Sequence, residues 1–224
     1  MNTKRLDIEF IKLTVDNIYT EIEKNTSPEM NIALIGKYDL KSEHINRNKY
    51  PVIEFQISHD EIKQMIVNKI IDCDGNIKIY SASGDMNLTS LEKLLYSILW
   101  KEGDINKIKY IIKGIKNDKS NIEKGQVFFQ FGRFLSDKKE PIIDQHVIRT
   151  SMIRNAIEIT AIEKAISINQ LDKKNIQDVE KYIEWIDSIC KDSENRKDIL
   201  ISIDEVLFAL GKKIKKGKLT TAST

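Results

Sequence analysis

Apolar residues recur at helical spacing over most of this chain. Between residues 7 and 24, isoleucine and valine return every three or four positions, which predicts a first helix. The same spacing from Leu88 onward, interrupted by short polar turns, predicts a series of further helices. These cover residues 88–99, 104–116, 122–135, 145–165, 175–190 and 197–213. We therefore expect residues 86–216 to form one helical domain, followed by a basic tail over residues 217–224.

The first 85 residues show a mixed pattern. From Pro51 to Ser58 apolar and polar residues alternate, which is the period of a half-buried strand. Asp74-Gly75 leads into a second alternating segment, Ile77 to Ile79, and a helix is predicted between the two strands. No repeat of fixed period is apparent. The expected fold class is thus mainly α, with a small α+β region over residues 1–85.

Composition and charge exclude several classes of protein. Of the 224 residues, 41% are hydrophobic, which is enough to fill a core. The 36 basic and 34 acidic side chains give a net charge of +2, so any contact with nucleic acid must depend on a local site. The two cysteines and three histidines lack the spacing of a zinc ribbon or a disulfide scaffold. No metal site and no cofactor are predicted.

The sequence also gives an expectation about location. No segment approaches 18 uncharged apolar residues, and the amino terminus becomes acidic before a signal-peptide apolar region can form. We expect a cytoplasmic protein that does not span a membrane.

One segment, Glu140 to Arg149, combines residues suited to chemistry. Asp144 directly precedes a helical pattern and is a natural N-cap. A carboxylate at this position accepts backbone N–H bonds, and the positive end of the helix favours its charged form. On the residues alone, the simpler interpretation is that Asp144 caps a helix and His146 is partly buried in it.

The segment Ile143-Asp144-Gln145-His146-Val147-Ile148-Arg149 resembles the V-D-T-H-V-x-R signature of the helix-hairpin-helix DNA glycosylase superfamily. That superfamily includes the endonuclease III, adenine-mismatch and 8-oxoguanine enzymes. The resemblance extends from about Leu88 to Lys216, and Ile203 to Gly211 is similar to the closing helix of these enzymes. It implies a DNA glycosylase that flips a damaged base and cleaves its N-glycosidic bond, with Asp144 as the catalytic carboxylate.

The resemblance implies further site residues. Lys124 lies 20 residues before Asp144 and opens a predicted helix, where the bifunctional members of the family carry their nucleophilic lysine. That position implies AP-lyase activity in addition to base excision. Contacts with DNA are expected from residues of the signature and of the segment before Lys124, namely Lys119, Gln145, His146 and Arg149.

The chain departs from the family pattern in two respects. Residues 115–122 contain no glycine, whereas the family has a Leu-Pro-Gly-Val-Gly hairpin there. The four-cysteine loop of the endonuclease III branch is also missing, so no iron-sulfur cluster is implied. An alternative hypothesis is therefore a catalytically silent helical module of the same ancestry that binds nucleic acid or protein. A further alternative is a regulatory protein whose residues 1–85 bind a protein partner.

Overall fold

The computed structural model of the protein describes residues 3–122, 125–171, 173–191 and 193–219, with side chains from residue 7 onward. Within these ranges it contains ten α-helices and no β-strand, which confirms the mainly α class. In chain order the helices are α1 (Thr3–Lys24), α2 (Pro28–Lys37), α3 (His59–Val67), α4 (Ser90–Glu102), α5 (Ile108–Ile115), α6 (Gln126–Ser136), α7 (Gln145–Asn155), α8 (Ile159–Ser167), α9 (Ile176–Cys190) and α10 (Arg196–Lys215).

The chain forms two compact units. The first unit comprises Met1–Ile53 together with Pro141–Thr224, and the second comprises Glu54–Glu140. In the first unit, α1 and α2 therefore pack with the carboxyl-terminal helices.

Helix α10 is the central element of the first unit. Thirteen of its twenty residues are buried, and it packs against α1, α2, α7, α8 and α9. At Gly211 it meets α7 backbone to backbone, since a Cβ atom there would lie 2.1 Å from the carbonyl oxygen of His146. The absence of a side chain at Gly211 is thus what allows the start of α7 to approach α10 so closely.

Helix α2 has no counterpart among the sequence predictions. The side chain of Ser27 caps α2 by accepting a hydrogen bond from the N–H of Met30, and Pro28 occupies the first turn. Proline suits that position because its fixed φ is already helical and its missing N–H is not needed. Inside the unit, Asn31 donates a buried hydrogen bond of 3.0 Å to Ser202 and so attaches α2 to α10.

The single helix predicted over residues 145–165 is wrong, because the structure has two helices there. Helix α7 ends at Ala156, which is extended with φ −76° and ψ 134°. Ile157 is 93% exposed, whereas Ile162 and Ala165 of α8 return to the core. The apolar spacing continues across the break, so the pattern could not reveal it.

In the second unit, α5 and α6 pack as a tight helical pair. A Cβ atom on Gly114 would lie 1.9 Å from the carbonyl oxygen of Phe129, and one on Gly132 would lie 2.1 Å from that of Ile111. Two glycines therefore bring the backbones of these helices into direct contact.

Two asparagines in the loop between α5 and α6 have left-handed backbone conformations. Asn117 and Asn121 have φ angles of 53° and 52°, in the left-handed region. Asparagine tolerates this region better than most residues that carry a Cβ atom. The chain between α5 and α6 is thus left-handed at two positions, and neither of them is a glycine.

The predicted α+β region is not found. Residues 51–57 have no regular secondary structure, and of residues 77–79 only Ile77 takes part in an isolated bridge, with Ile71. A second isolated bridge joins Tyr80 and Met86. Alternating apolar residues form a strand only where a partner backbone completes the hydrogen-bond ladder, and the described residues offer none beyond these bridges.

These two bridges close successive turns with a period of nine residues, a repeat that sequence inspection missed. The N–H of Asp72 donates to the carbonyl of Asn76, and nine residues later that of Ser81 donates to Asp85. Each turn contains a glycine with φ near +85°, at 84° for Gly75 and 87° for Gly84. The two turns have the same backbone geometry and similar short polar side chains, but few identical residues.

Helix α4 has an exposed apolar face. It is closed by a capping box between Thr89 and Glu92 at its start and by left-handed Gly103 at its end. None of its residues is buried, and its apolar stripe is 50% to 65% exposed at Leu91, Leu94, Leu95 and Ile98. This apolar stripe thus does not contribute to a core.

We expect Gly114→Ala to lower the free energy of unfolding by about 2 kcal/mol, because the new methyl group forces the backbones of α5 and α6 apart. Gly36→Ala in α2 is the matched control, since the nearest atom to its new methyl group is 3.8 Å away. That control should be neutral or should raise stability by up to about 1 kcal/mol. Urea denaturation followed by circular dichroism measures both, and equal effects would contradict the close contact.

Candidate functional site

Asp144 is the N-cap of α7, as the sequence predicts. Its backbone is extended, with φ −133° and ψ 169°. Its Oδ1 atom accepts hydrogen bonds from the backbone N–H groups of His146 at 2.5 Å and Val147 at 3.1 Å. Oδ2 has no hydrogen-bond donor among the described residues, and the side chain is partly exposed. The carboxyl group is therefore held in a fixed direction with one oxygen available to a ligand.

A second carboxyl group, that of Asp204 on α10, interacts electrostatically with Asp144. It is partly buried and forms no hydrogen bond or ion pair with the described residues. Burial, with the charge of Asp144 as the next largest cause, raises the pKa of Asp204 to about 8, against the opposing effect of Arg47. At neutral pH Asp204 thus keeps its proton.

Three further side chains belong to this region of the first unit. Tyr182 of α9 is 1% exposed, and burial, with smaller effects from Tyr19, Asp204 and Asp144, raises its pKa. The ring of Phe208, one turn after Asp204 on α10, meets the His146 ring edge to face at 5.2 Å. We call this group the carboxylate cluster, and its members are Asp144, Asp204, Tyr182, His146 and Phe208.

His146 is a neutral member of the cluster. Burial lowers its pKa, and the positive charge of Arg149 lowers it further, while Asp144 acts in the opposite direction. Its Nδ1 atom lies 2.6 Å from a guanidinium nitrogen of Arg149, which can only donate. The ring thus accepts at Nδ1, and its partly buried position agrees with the simpler interpretation drawn from the sequence.

Arg149 lies in the interior and not at a surface. Its side chain is 0% exposed, and its guanidinium donates to the carbonyl oxygens of Gly211, at 3.1 Å, and Ile168. Burial lowers its pKa, and the charge of Asp144 opposes that effect. This position differs from the DNA contact that the family resemblance implies. Arg149 instead connects α7, α10 and the end of α8, and it orients His146.

The other predicted site residues have varied surroundings. Gln145 follows Asp144, and its Oε1 atom is buried without a hydrogen-bond partner. Lys119 is exposed in the loop between α5 and α6, in the second unit. Lys124, the predicted nucleophile, lies outside the described residues.

The side chain next to Asp204 has ionic partners that Asp204 lacks. Glu205 is 8% exposed and binds Arg47 through Nε at 2.7 Å and His44 at 2.9 Å. These contacts attach the segment after α2 to α10 and neutralise the charge of Glu205. Of the two adjacent acids, only Asp204 is left for other chemistry.

The lysines at the end of α10 are part of the fold. Glu43 is fully buried and accepts from Lys216 at 2.7 Å and from Lys218 at 2.9 Å, with Lys212 at 3.8 Å. Lys213 donates to the backbone oxygen of Asp39 at 2.7 Å. These contacts hold the carboxyl-terminal basic segment against the turn after α2.

Sequence reasoning missed Asp204, Tyr182 and Phe208 as site residues. One signal was present, because Asp204 and Phe208 are four residues apart in a helix whose surrounding residues are mostly apolar. An acid on a buried helix is costly unless it is paired or protonated, which marks Asp204 as unusual.

Comparisons of the chain with protein-family models, curated proteins and solved structures find no match. Among the described residues, no helix is both long and apolar enough to cross a membrane. The same part of the chain contains no group of three or more His, Cys, Asp or Glu side chains placed to hold a metal ion.

We expect Arg149→Lys to lower the free energy of unfolding by about 2 kcal/mol, because a single ammonium cannot reach two carbonyl groups and His146 together. Arg154→Lys, on the same helix but at a partly exposed ion pair with Glu23, should cost less than about 1 kcal/mol. Urea denaturation measures both variants. Unchanged stability of Arg149→Lys, with weakened DNA binding, would place Arg149 at the DNA interface instead.

A second prediction concerns pH. The pKa of Asp204 is raised from 3.8 to about 8, so the folded protein holds a proton that the unfolded chain loses across this range. The free energy of unfolding should therefore fall as pH rises from about 4 to about 8.

Asp204→Asn should remove this contribution and raise the free energy of unfolding at pH 8 by about 2 kcal/mol. Asp198 is an exposed acid on the first turn of α10, and Asp198→Asn is the control. It should change neither the free energy of unfolding at pH 8 nor its dependence on pH. Denaturation at pH 5 and pH 8 measures both, and the same pH dependence in Asp204→Asn as in wild type would contradict the raised pKa.

Proposed function

We propose that this protein is a DNA glycosylase that excises a damaged base, with Asp144 as the carboxylate that stabilises positive charge on the sugar. One observation carries the proposal. The Oδ1 atom of Asp144 accepts hydrogen bonds from two backbone N–H groups of α7, which leaves Oδ2 available to a ligand.

The chemistry of base excision needs such a carboxylate. Cleavage of an N-glycosidic bond passes through an oxocarbenium-like state with positive charge at C1′. A negative group stabilises this state best when it is already oriented, because no reorganisation is then needed as the charge develops. The two backbone N–H bonds to Asp144 provide that orientation.

Two further features support DNA as the partner. The segment Ile143 to Arg149 resembles the glycosylase signature, and its aspartate begins a helix as the signature requires. In the loop between α5 and α6 the backbone is left-handed at Asn117 and Asn121. Lys119 lies between these two residues and is exposed, which suits a contact with phosphate. With a net charge of only +2, such local contacts have to provide DNA affinity.

An oriented carboxylate with one available oxygen favours an enzyme over a silent binding module, because a binding module has no need of it. In this proposal Lys124 is the nucleophile of an additional lyase step.

The test is excision from duplex oligonucleotides that each carry one oxidised, alkylated, deaminated or mismatched base. Wild-type protein should release at least one of these bases under single-turnover conditions. Asp144→Asn should slow that release by at least about 100-fold, because the amide lacks the charge. Folding and DNA affinity should be nearly unchanged, since asparagine is an equally good N-cap.

Asp72→Asn is the matched control, because Asp72 also accepts backbone N–H bonds, from Asp74 and Asn76, but in a turn outside the cluster. It should excise at the wild-type rate. If the lyase step exists, borohydride should trap an adduct with wild type that Lys124→Gln does not form. A wild-type protein that binds DNA but releases no base would instead favour the silent module.

A further inference from the structure

A cavity of about 410 Å³ in the first unit is lined by residues of α1, α7 and α9. Its volume is within the range of sites that hold small molecules. Arg154, which lines it, is ten residues further along α7 than Asp144, or about 15 Å along the helix axis. The cavity is therefore separate from the Asp144 carboxylate.

Three planar groups form one wall of this cavity. The guanidinium of Arg154 lies 4.7 Å from the ring centre of Tyr19 and 5.4 Å from that of Trp185, and the two rings are 4.5 Å apart. Such cation–π contacts favour the stacked arrangement. Tyr19 is only 1% exposed, whereas the Arg154 side chain is 27% exposed and Trp185 is half-buried. A ligand can thus reach the guanidinium and the indole.

Hydrogen bonds fix this wall in place. Glu23 accepts one from the guanidinium of Arg154 and another, of 2.8 Å, from the indole N–H of Trp185. The hydroxyl group of Tyr19 lies 3.0 Å from that of Thr150 on α7. The charge of Arg154 is already paired with Glu23, and no group has to be rearranged, so the wall suits the flat face of a ligand more than a separate anion.

The remaining polar side chains of the cavity are not used by the fold. Asn155, Lys181 and Glu184 line it and form no side-chain hydrogen bond or ion pair with the described residues. The ammonium group donates hydrogen bonds, the carboxylate accepts them and the amide does both. Because the charges of Lys181 and Glu184 are opposite, these groups suit a neutral ligand that carries both donors and acceptors.

A nucleobase has the two properties that the cavity requires. Its flat face stacks on aromatic side chains and on arginine guanidinium planes in many complexes. Its edge carries both donors and acceptors, and lysine, glutamate and asparagine are among the side chains with which proteins bind such edges. An aliphatic ligand would leave the polar groups unpaired, and a simple ion would leave the planar wall uncovered.

We propose that this cavity binds a single nucleobase, stacked on Arg154 and Trp185 and bound at its edge by Asn155, Lys181 and Glu184. The inference does not rest on the proposed glycosylase function, since it involves neither Asp144 nor any chemical step. A protein that excises no base can still bind a nucleobase here, and the reverse also holds.

The fluorescence of Trp185 provides a direct measurement. The chain has two tryptophans, and Trp100→Phe removes the other one, which is 70% exposed on α4. In this variant of the full chain, titration with each of the four deoxynucleosides should quench Trp185 saturably for at least one of them, with a Kd of about 1 mM or tighter. Deoxyribose, which lacks the base, should have no effect. Calorimetry with the same probes measures binding independently of fluorescence.

Arg154→Lys tests the stacking wall, because it keeps the positive charge and removes the plane. It should weaken nucleoside binding at least about fivefold, and the denaturation experiment above shows whether it stays folded.

Lys181→Ala and Glu184→Ala test the polar groups, and each should change the order of affinity among the four nucleosides. Glu180→Ala is the matched control, since Glu180 is exposed on the same helix but does not line the cavity. It should keep the wild-type affinities and their order.

The nucleobase can come from a free nucleoside or from a single strand, and a trinucleotide with the preferred base in its centre separates the two. Affinity at least about tenfold above that of the nucleoside would indicate a strand, and equal affinity would indicate a free ligand. The proposal is overturned if neither fluorescence nor calorimetry detects saturable binding of any nucleoside or trinucleotide. It is also overturned if a folded Arg154→Lys variant binds as tightly as wild type.

Discussion

The contact between α7 and α10 at Gly211 sets the geometry of the whole candidate site. Because Gly211 has no side chain, the backbone of His146 packs directly on α10. This approach lets the Arg149 guanidinium reach the Gly211 carbonyl, and it brings Phe208 against the His146 ring. A larger residue at Gly211 would separate the two helices and change the distances between the cluster members on α7 and those on α10.

Buried charges in the first unit have two different arrangements. Glu43 and Glu205 form ion pairs, and Arg149 donates hydrogen bonds from its two terminal nitrogens while its Nε atom has no partner among the described residues. These contacts join distant segments of the chain. Asp204 is the contrasting case, since its position raises its pKa and leaves its carboxyl group without a partner in the described residues. Such an arrangement lowers stability, and function is the usual reason that a protein retains it.

The loop between α5 and α6 shows how one backbone geometry can arise from different residues. Among its described residues, Asn117 and Asn121 are left-handed, whereas the hairpin of the glycosylase family that the sequence resembles contains glycine. Both residue types accept positive φ, glycine because it lacks a Cβ atom and asparagine because its short polar side chain is tolerated there. The missing glycines therefore do not by themselves argue against a hairpin at this position.

The sequence by itself determined what depends on neighbouring residues. Most helices follow from apolar spacing, and Asp144 could be identified as an N-cap because a cap bonds to residues two and three positions later. Predictions that needed a distant partner were less successful. The expected strand over residues 51–58 is not found, since alternation cannot provide the second strand that a ladder requires.

Only the tertiary structure decided the content of the candidate site. Asp144 and Asp204 are 60 residues apart in the chain, and no local pattern relates them. Arg149 belongs to the signature by sequence, yet packing turns it into the interior. The raised pKa of Asp204 depends on burial and on a charge from another helix, two quantities that exist only once the helices are packed.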